Sequence, residues 1–212
     1  MKWLLLIGSL LLVGCAENAP SNPPMTLPAR SVNLSEGDKL HVDTERSIIR
    51  WRGTKFWGLG KHEGIVWLAS GTLTVQDAAV TAGSFVIDMN TIEVTDIPKS
   101  DPIPRKRLRN HLMDDDFFAV ATYPTAQFTL TKSQENETHH QITGDLTLRG
   151  QTHPVTFAAT FSALSNKKVW ATAQFSIDRQ RWGVAYRGSR LTNDLVDDDI
   201  HLELVLVATA KP

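Results

Sequence analysis

An all-β fold, with eight antiparallel strands closed into an up-and-down barrel and one short helical segment between strands, is what the sequence predicts. Three observations carry it. From about residue 40 onward, apolar residues recur with period two, the spacing of strands that bury one face. Eight such runs can be counted, most of them separated by brief polar or glycine-containing turns, so neighbouring strands run antiparallel. Strands with one apolar face each remove their unpaired edges by closing on themselves.

The elements follow in order. A first strand centres on Ile49 and Trp51. In the second, Ile65, Trp67, Ala69, Gly71, Leu73 and Val75 are expected on the buried face, with Ser70, Thr72 and Thr74 opposite. Phe85, Ile87 and Met89 mark the third, Ala126, Phe128 and Leu130 the fourth, and Ile142, Leu146 and Leu148 the fifth. Val155, Phe157, Ala159, Phe161 and Ala163 define the sixth, and Val169, Ala171, Ala173, Phe175 and Ile177 the seventh. The eighth carries Ile200, Leu202, Leu204, Leu206 and Ala208. Turns are expected at Gln76-Asp77, from Gln134 to Thr138, at Arg149-Gly150-Gln151, at Ser165-Asn166-Lys167, and across Gly188 to Asp199. Pro98 to Phe118 breaks the alternation; Arg105 to Met113 can form a short helix after Pro104, lying over a barrel opening or against its wall.

The first residues are of another kind. Met1 to Gly14 pair Lys2 with an apolar run from Leu4 to Val13, too short to span a bilayer and suited to a signal peptide. Leu12-Val13-Gly14-Cys15 resembles the bacterial lipoprotein processing box, and Cys15 is the single cysteine of the chain, so no intramolecular disulfide forms. The expected organisation is a signal peptide over 1–14, a lipidated Cys15 with a Pro-rich tether over 15–39, and one barrel domain over 40–212. Location in the bacterial envelope follows: periplasmic, lipid-anchored, and, with Ala16 after the cysteine, at the outer membrane. The net charge of -1 provides no basic field, so nucleic acid is not an expected partner. A homodimer is compatible with the sequence.

An eight-stranded barrel has an interior just wide enough to be filled by side chains or to hold one ligand. The expected lining is Trp51, Trp67, Phe85, Ile87, Phe128, Leu146, Phe157, Phe161, Phe175, Ile177 and Leu204, interspersed with small residues such as Ala69, Gly71, Ala126, Ala159, Ala171 and Ala173 that leave room. Strands of about ten residues, rising roughly 3.4 Å each and tilted, would enclose a tunnel of about 25 Å. The same mixture of large and small residues also describes an interlocked, filled core, and periodicity alone leaves both readings open.

Five blocks carry a resemblance. Asn110-His111-Leu112-Met113-Asp114-Asp115-Asp116-Phe117-Phe118 leads through Tyr123-Pro124 into a strand. Gly60-Lys61-His62-Glu63-Gly64, Gly83-Ser84-Phe85-Val86-Ile87-Asp88-Met89, Gly144-Asp145-Leu146-Thr147-Leu148-Arg149-Gly150, and Phe175-Ser176-Ile177-Asp178-Arg179 with Trp182-Gly183 accompany it. Together they resemble the YceI-like family of bacterial periplasmic proteins, over about His41 to Ala210. The resemblance implies a lipocalin-like barrel that sequesters or carries a polyisoprenoid, an isoprenoid quinone or another long-chain lipid, without catalysis, metal or cofactor.

His62, His111 and Arg179 are the candidate polar groups at the mouth. Histidines with Asp114, Asp115 or Asp116 could bind zinc or act as acid and base, yet no pair has helix-face ligand spacing and no Gly-x-Ser-x-Gly nucleophile turn exists. An envelope enzyme using His62 and His111, and a structural envelope protein without cargo, are the alternative functions. Asp178 and Arg179 read as a structural ion pair or as strand-end hydrogen bonds, with a head-group role for Arg179 as the other option. The run Arg105-Lys106-Arg107-Leu108-Arg109 reads first as a solvated helix face and second as a contact for anionic lipid head groups.

Overall fold

The computed structural model describes residues 37–55, 58, 60–186 and 196–210. Cys15, the signal peptide, nearly all of the tether and most of the Gly188 to Asp199 turn lie outside the described residues. The strands are β1 (Asp38–Val42), β2 (Ile48–Lys55), β3 (Gly60–Gln76), β4 (Ala79–Val94), β5 (Thr125–Glu135), β6 (His140–Leu148), β7 (Gln151–Leu164), β8 (Lys168–Asp178) and β9 (Val196–Thr209). One helix, α1 (Pro102–Met113), lies between β4 and β5, and a 3₁₀ turn (Arg179–Trp182) follows β8.

Every ladder is antiparallel, and β2 through β9 pair in chain order, with β9 returning to β2 to close the ring. The eight-stranded up-and-down barrel expected from the sequence is therefore present. Nine segments make eight walls because β1 and β2 share one slot: both lie between β3 and β9, β1 against Thr72 to Val75 of β3 and β2 against Gly60 to Val66. Ser47 bridges the break between them. It is fully buried, and its hydroxyl donates to the Val207 carbonyl at 3.2 Å while accepting from the Val207 N–H at 2.9 Å. A serine can thus sit inside a wall because it supplies the ladder bonds that the interrupted backbone does not.

The β3–β4 ladder corrects one expectation. Its register shifts between Ile65 and Trp67 and again between Leu68 and Ser70. At the second shift the one extra residue on β3, Ala69, exchanges the two faces of that strand. Val66 and Leu68 are consequently buried alongside Leu73 and Val75, whereas Ile65, Trp67 and Ala69 fall on the opposite face. Trp67 does not line the lumen. Its backbone N–H is held from outside the ladder by the Thr91 hydroxyl at 2.9 Å.

One barrel end is formed by the β3–β4, β5–β6 and β7–β8 turns, and the other carries α1, the segment after it and the 3₁₀ turn. The first turn has Asp77 at φ 50° and Ala78 at φ 60°, the left-handed pair that two-residue hairpins require. The helix begins at Pro102, ahead of the expected Arg105, because prolines are tolerated in a first turn whose N–H groups have no helical partner. Arg109 fastens α1 to the wall, donating from Nε to the Ile92 carbonyl and from Nη2 to the Asn90 carbonyl, both at 2.8 Å. Leu112, Phe117, Val120, Trp182 and Val184 then pack into the core at this end.

Candidate functional site

The lumen contains two cavities placed end to end. On the hairpin side, about 130 Å³ is enclosed by hydrocarbon and aromatic side chains alone, among them Phe85, Phe128, Phe157, Phe161, Phe175, Leu204, Ala159 and Ala171. On the helix side, about 150 Å³ is bounded by Trp51, Met89, Leu112, Phe117, Phe118, Ile177, Arg179, Asp197 and Asp199, among others. Ile49, Ile87, Leu146 and Leu202 belong to both linings and form the ring between the chambers. Apolar cavities of about 150 Å³ can stay dry and accept a benzene-sized molecule. A longer guest must therefore move side chains of this ring aside.

The aromatic lining is continuous across several strands. Phe85 of β4 meets Phe128 of β5 at 6.1 Å between ring centroids, Phe128 meets Phe157 of β7 at 5.8 Å, and Phe157 stacks on Phe175 of β8 at 4.2 Å. Strand β6 lies between β5 and β7, and contributes Gly144 at this level; a Cβ there would stand 2.3 Å from Cζ of Phe128. The glycine leaves the space through which Phe128 reaches Phe157. No sequence periodicity marks that role, although the Gly144-Asp145-Leu146 block contains it.

Polar residues stand behind the wall of the helix-side chamber, whose own surface is almost wholly apolar. Arg179 is 2% exposed, and its guanidinium donates to the carbonyls of Asp197, Val184 and Val196 and to Oδ1 of Asp198 at 3.4 Å. Burial pushes this guanidinium below its ordinary pKa, and the charges of Asp198, Asp178 and Asp197 oppose that shift. Of the two structural readings, strand-end hydrogen bonds describe the pair: Asp178 accepts from the Gln180 N–H at 2.9 Å as the cap of the 3₁₀ turn, and the Arg179 ion pair is with Asp198. Chain geometry explains this, since consecutive residues at a strand end point apart. Trp51 carries the other polar atom of interest, its Nε1, which is buried and has no hydrogen-bond partner. Such a donor costs about 1–3 kcal/mol when left unsatisfied.

The two histidines are not brought into one polar group. His62 Nδ1 lies 2.9 Å from Oδ2 of Asp96, on a partly exposed side chain in the approach to α1. Its neighbour Glu63 is occupied by Lys61 at 3.0 Å and Arg52 at 2.7 Å, and the Lys61 hydrogen bond leads in holding that carboxyl below its ordinary pKa. His111 instead packs edge-on against Phe117 and Tyr186, with centroids 5.0 and 4.6 Å away. Neither histidine borders a chamber, and no cluster of His, Cys, Asp or Glu suited to a metal occurs among the described residues. Of the expected lining, Trp51 and Ile177 border the helix-side chamber, Phe85, Phe128, Phe157, Phe161, Phe175 and Leu204 the hairpin-side one, and Ile87 and Leu146 both.

A closed antiparallel barrel with an apolar interior and a short helix packed against its wall at one end has a lipocalin-like fold. The chain belongs to the family of the YceI-like domain, whose model matches residues 40–208. A UPF0312 protein of Pseudomonas putida (strain W619) is 32% identical over 173 residues, which span 78% of this chain and 84% of that protein. Protein YceI of Escherichia coli O157:H7 is 35% identical over 106 residues, 47% of this chain and 51% of the other. Among solved structures, Burkholderia cenocepacia BcnA superposes with a TM-score of 0.63 at 20% identity, covering 79% of this chain and 99% of its own. A polyisoprenoid binding domain from Saccharophagus degradans, implicated in plant cell wall breakdown, gives 0.57 at 16% identity, covering 82% and 99% respectively. At these identities the two structures share the fold with this chain.

Proposed function

We propose that the protein binds a long apolar lipid of the isoprenoid class inside the barrel and holds or carries it in the bacterial cell envelope, tethered to the membrane through a lipid on Cys15. The single observation that carries the reading is the interior itself: two consecutive apolar chambers joined through a ring of aliphatic side chains. Such a series suits a narrow, extended chain better than a compact cofactor. Each Å² of hydrocarbon taken from water contributes about 25 cal/mol, so the wall supplies affinity without chemistry. The polyisoprenoid named for the Saccharophagus degradans domain supports the cargo class; the resemblance of Leu12 to Cys15 to a lipoprotein processing box supports the anchor and the envelope location.

The test is native mass spectrometry of the full-length protein, followed by denaturation and organic extraction. Mass lost on denaturation belongs to a non-covalent guest, whereas acyl groups on Cys15 stay with the chain. A stoichiometric long-chain molecule is the expected result. A protein that is empty and also takes up no added isoprenoid contradicts the reading.

A second reading is a barrel whose interior is simply core. The modest chamber volumes of about 130 and 150 Å³ favour it. It predicts that filling a chamber displaces nothing.

A further inference from the structure

We propose that the outer wall around Trp170 is a membrane-docking face, with the indole in the head-group layer of a phospholipid bilayer and Arg46 and Lys168 against the phosphates. The inference rests on the lipid anchor of the proposed function, not on the cargo, and adds to it the side of the barrel that meets the membrane.

Trp170 points away from the lumen, since its neighbours Val169 and Ala171 are buried in the core. It is 37% exposed and so forgoes part of the burial that an indole offers. Two cations flank the ring: the guanidinium carbon of Arg46 lies 5.5 Å from its centroid and Nζ of Lys168 lies 5.4 Å away. They come from different elements, the β1–β2 connection and β8, so folding assembles the group. Apolar surface continues beside it, where Ile48 of β2 and Val205 of β9 are paired, half-buried and turned outward. An indole carrying cations suits a bilayer interface, which accepts a ring that is apolar on one side and wet on the other and presents phosphate oxygens beside it.

The place where the chain enters the barrel decides the occupant. Gly37 lies beside the β3–β4 turn, where a Cβ would stand 2.7 Å from Cγ2 of Thr74 and 3.3 Å from Cβ of Gln76. From there β1 runs down the slot that it shares with β2, and His41, Thr209 and Lys168 stand abreast on β1, β9 and β8. A single strand therefore separates the incoming chain from Lys168 and Trp170. Gly37 follows Cys15 by 22 residues. A segment of that length reaches about 75 Å at full stretch, so a lipid on Cys15 keeps this wall close to a bilayer and raises the effective concentration of one for the other. Asp43 and Glu45 share the connection with Arg46, and Asp43 pairs with it at 3.9 Å, so the face is no broad basic field. What it fits is an apolar layer bordered by phosphates, and a soluble polyanion lacks the first of these.

The experiment is hydroxyl-radical footprinting of the full-length protein, solubilised and then reconstituted on the outside of vesicles of phosphatidylethanolamine and phosphatidylglycerol, read by peptide mass spectrometry. Tyr123, 36% exposed and beside Gly150 at the helix end, is the internal reference. Oxidation of Trp170 should fall several-fold on the vesicles while that of Tyr123 stays level, a readout that needs no variant. Arg46→Glu with Lys168→Glu should return Trp170 to its solubilised reactivity without releasing the protein from the vesicles. Undiminished oxidation of Trp170 on protein that floats with the vesicles, or protection that survives the charge reversal, overturns the inference and leaves the anchor intact. Protection already present in the solubilised protein and lost on dilution shows a second copy on this face and overturns it as well. Protein that does not float with the vesicles overturns the anchor and the inference together.

Discussion

Single residues decide how far this interior departs from an ordinary core, and Arg179 is the first test. Its guanidinium is buried and supplies hydrogen bonds to the carbonyls of Val184, Val196 and Asp197, which tie the 3₁₀ turn to the start of β9. Arg179→Met keeps the aliphatic stem but leaves those acceptors without a donor, so it should destabilise the protein by about 3 kcal/mol. Urea denaturation with an unchanged slope checks this, and a loss below about 1 kcal/mol would show the arginine to be dispensable. Ala78 is a liability of the opposite sign. Held at φ 60° without the freedom of glycine, it should yield about 1 kcal/mol of added stability on Ala78→Gly, seen as a higher Tm. Much of the lining was legible from period two, because regular ladders keep alternate residues on one face. Trp67 was not, since the extra residue between Leu68 and Ser70 moves the buried face from Val66 and Leu68 to Leu73 and Val75 and leaves no signature in residue type. The unpaired N–H of Trp51 was equally invisible: the sequence shows a tryptophan on a strand, but only tertiary packing shows what its nitrogen meets.

At the scale of elements, α1 divides its basic run between two tasks. Arg109 bonds to the wall and Arg105 reaches Glu93 at 3.5 Å, so these two belong to the docking face. Lys106 and Arg107 stay exposed on the face that also carries Asn110 and Ile103, the latter 80% exposed. The first reading of the run, a solvated helix face, thus describes only part of it. Opposite signs of evidence follow from the split. Arg109→Ala should loosen the helix and speed amide exchange in Pro102–Met113, with little change in the strands, because local opening follows the loss of local contacts. Lys106→Glu with Arg107→Glu should leave amide exchange unaltered and slow cargo transfer from vesicles rich in anionic lipid, since each basic side chain near such a surface contributes about 1 kcal/mol. Equal transfer rates would remove α1 from the membrane encounter. The helix itself was readable from the break in alternation, but its start was not. Pro102 and Pro104 look like terminators in sequence and act here as residues of the first turn.

For the molecule as a whole, the question is whether the barrel is hollow by design or merely incompletely filled, and two measurements of opposite sign separate these. Ala159 and Ala171 are buried residues bordering the hairpin-side chamber. They face its 130 Å³ from β7 and β8 respectively, among the phenylalanines of the aromatic arc. An unfilled cavity carries a cost of about 24 cal/mol per Å³ in a mutated core, so occupying even part of this one with Ala159→Leu or Ala171→Leu should raise the stability of the empty protein by about 1 kcal/mol. In a carrier, the same carbons stand where the ligand chain must lie. Cargo occupancy measured by native mass spectrometry should then fall as the Tm of the empty form rises, and the larger effect should be on the longer guest. A filled barrel without cargo gives a different pair of results: stability falls through overpacking or stays level, and no bound molecule is lost. Selection for stability alone would favour leucine at both positions if the chamber had room for it. Alanine at both positions beside five phenylalanines, with Gly144 holding the arc open across β6, is what a barrel would need in order to keep its interior available to a guest.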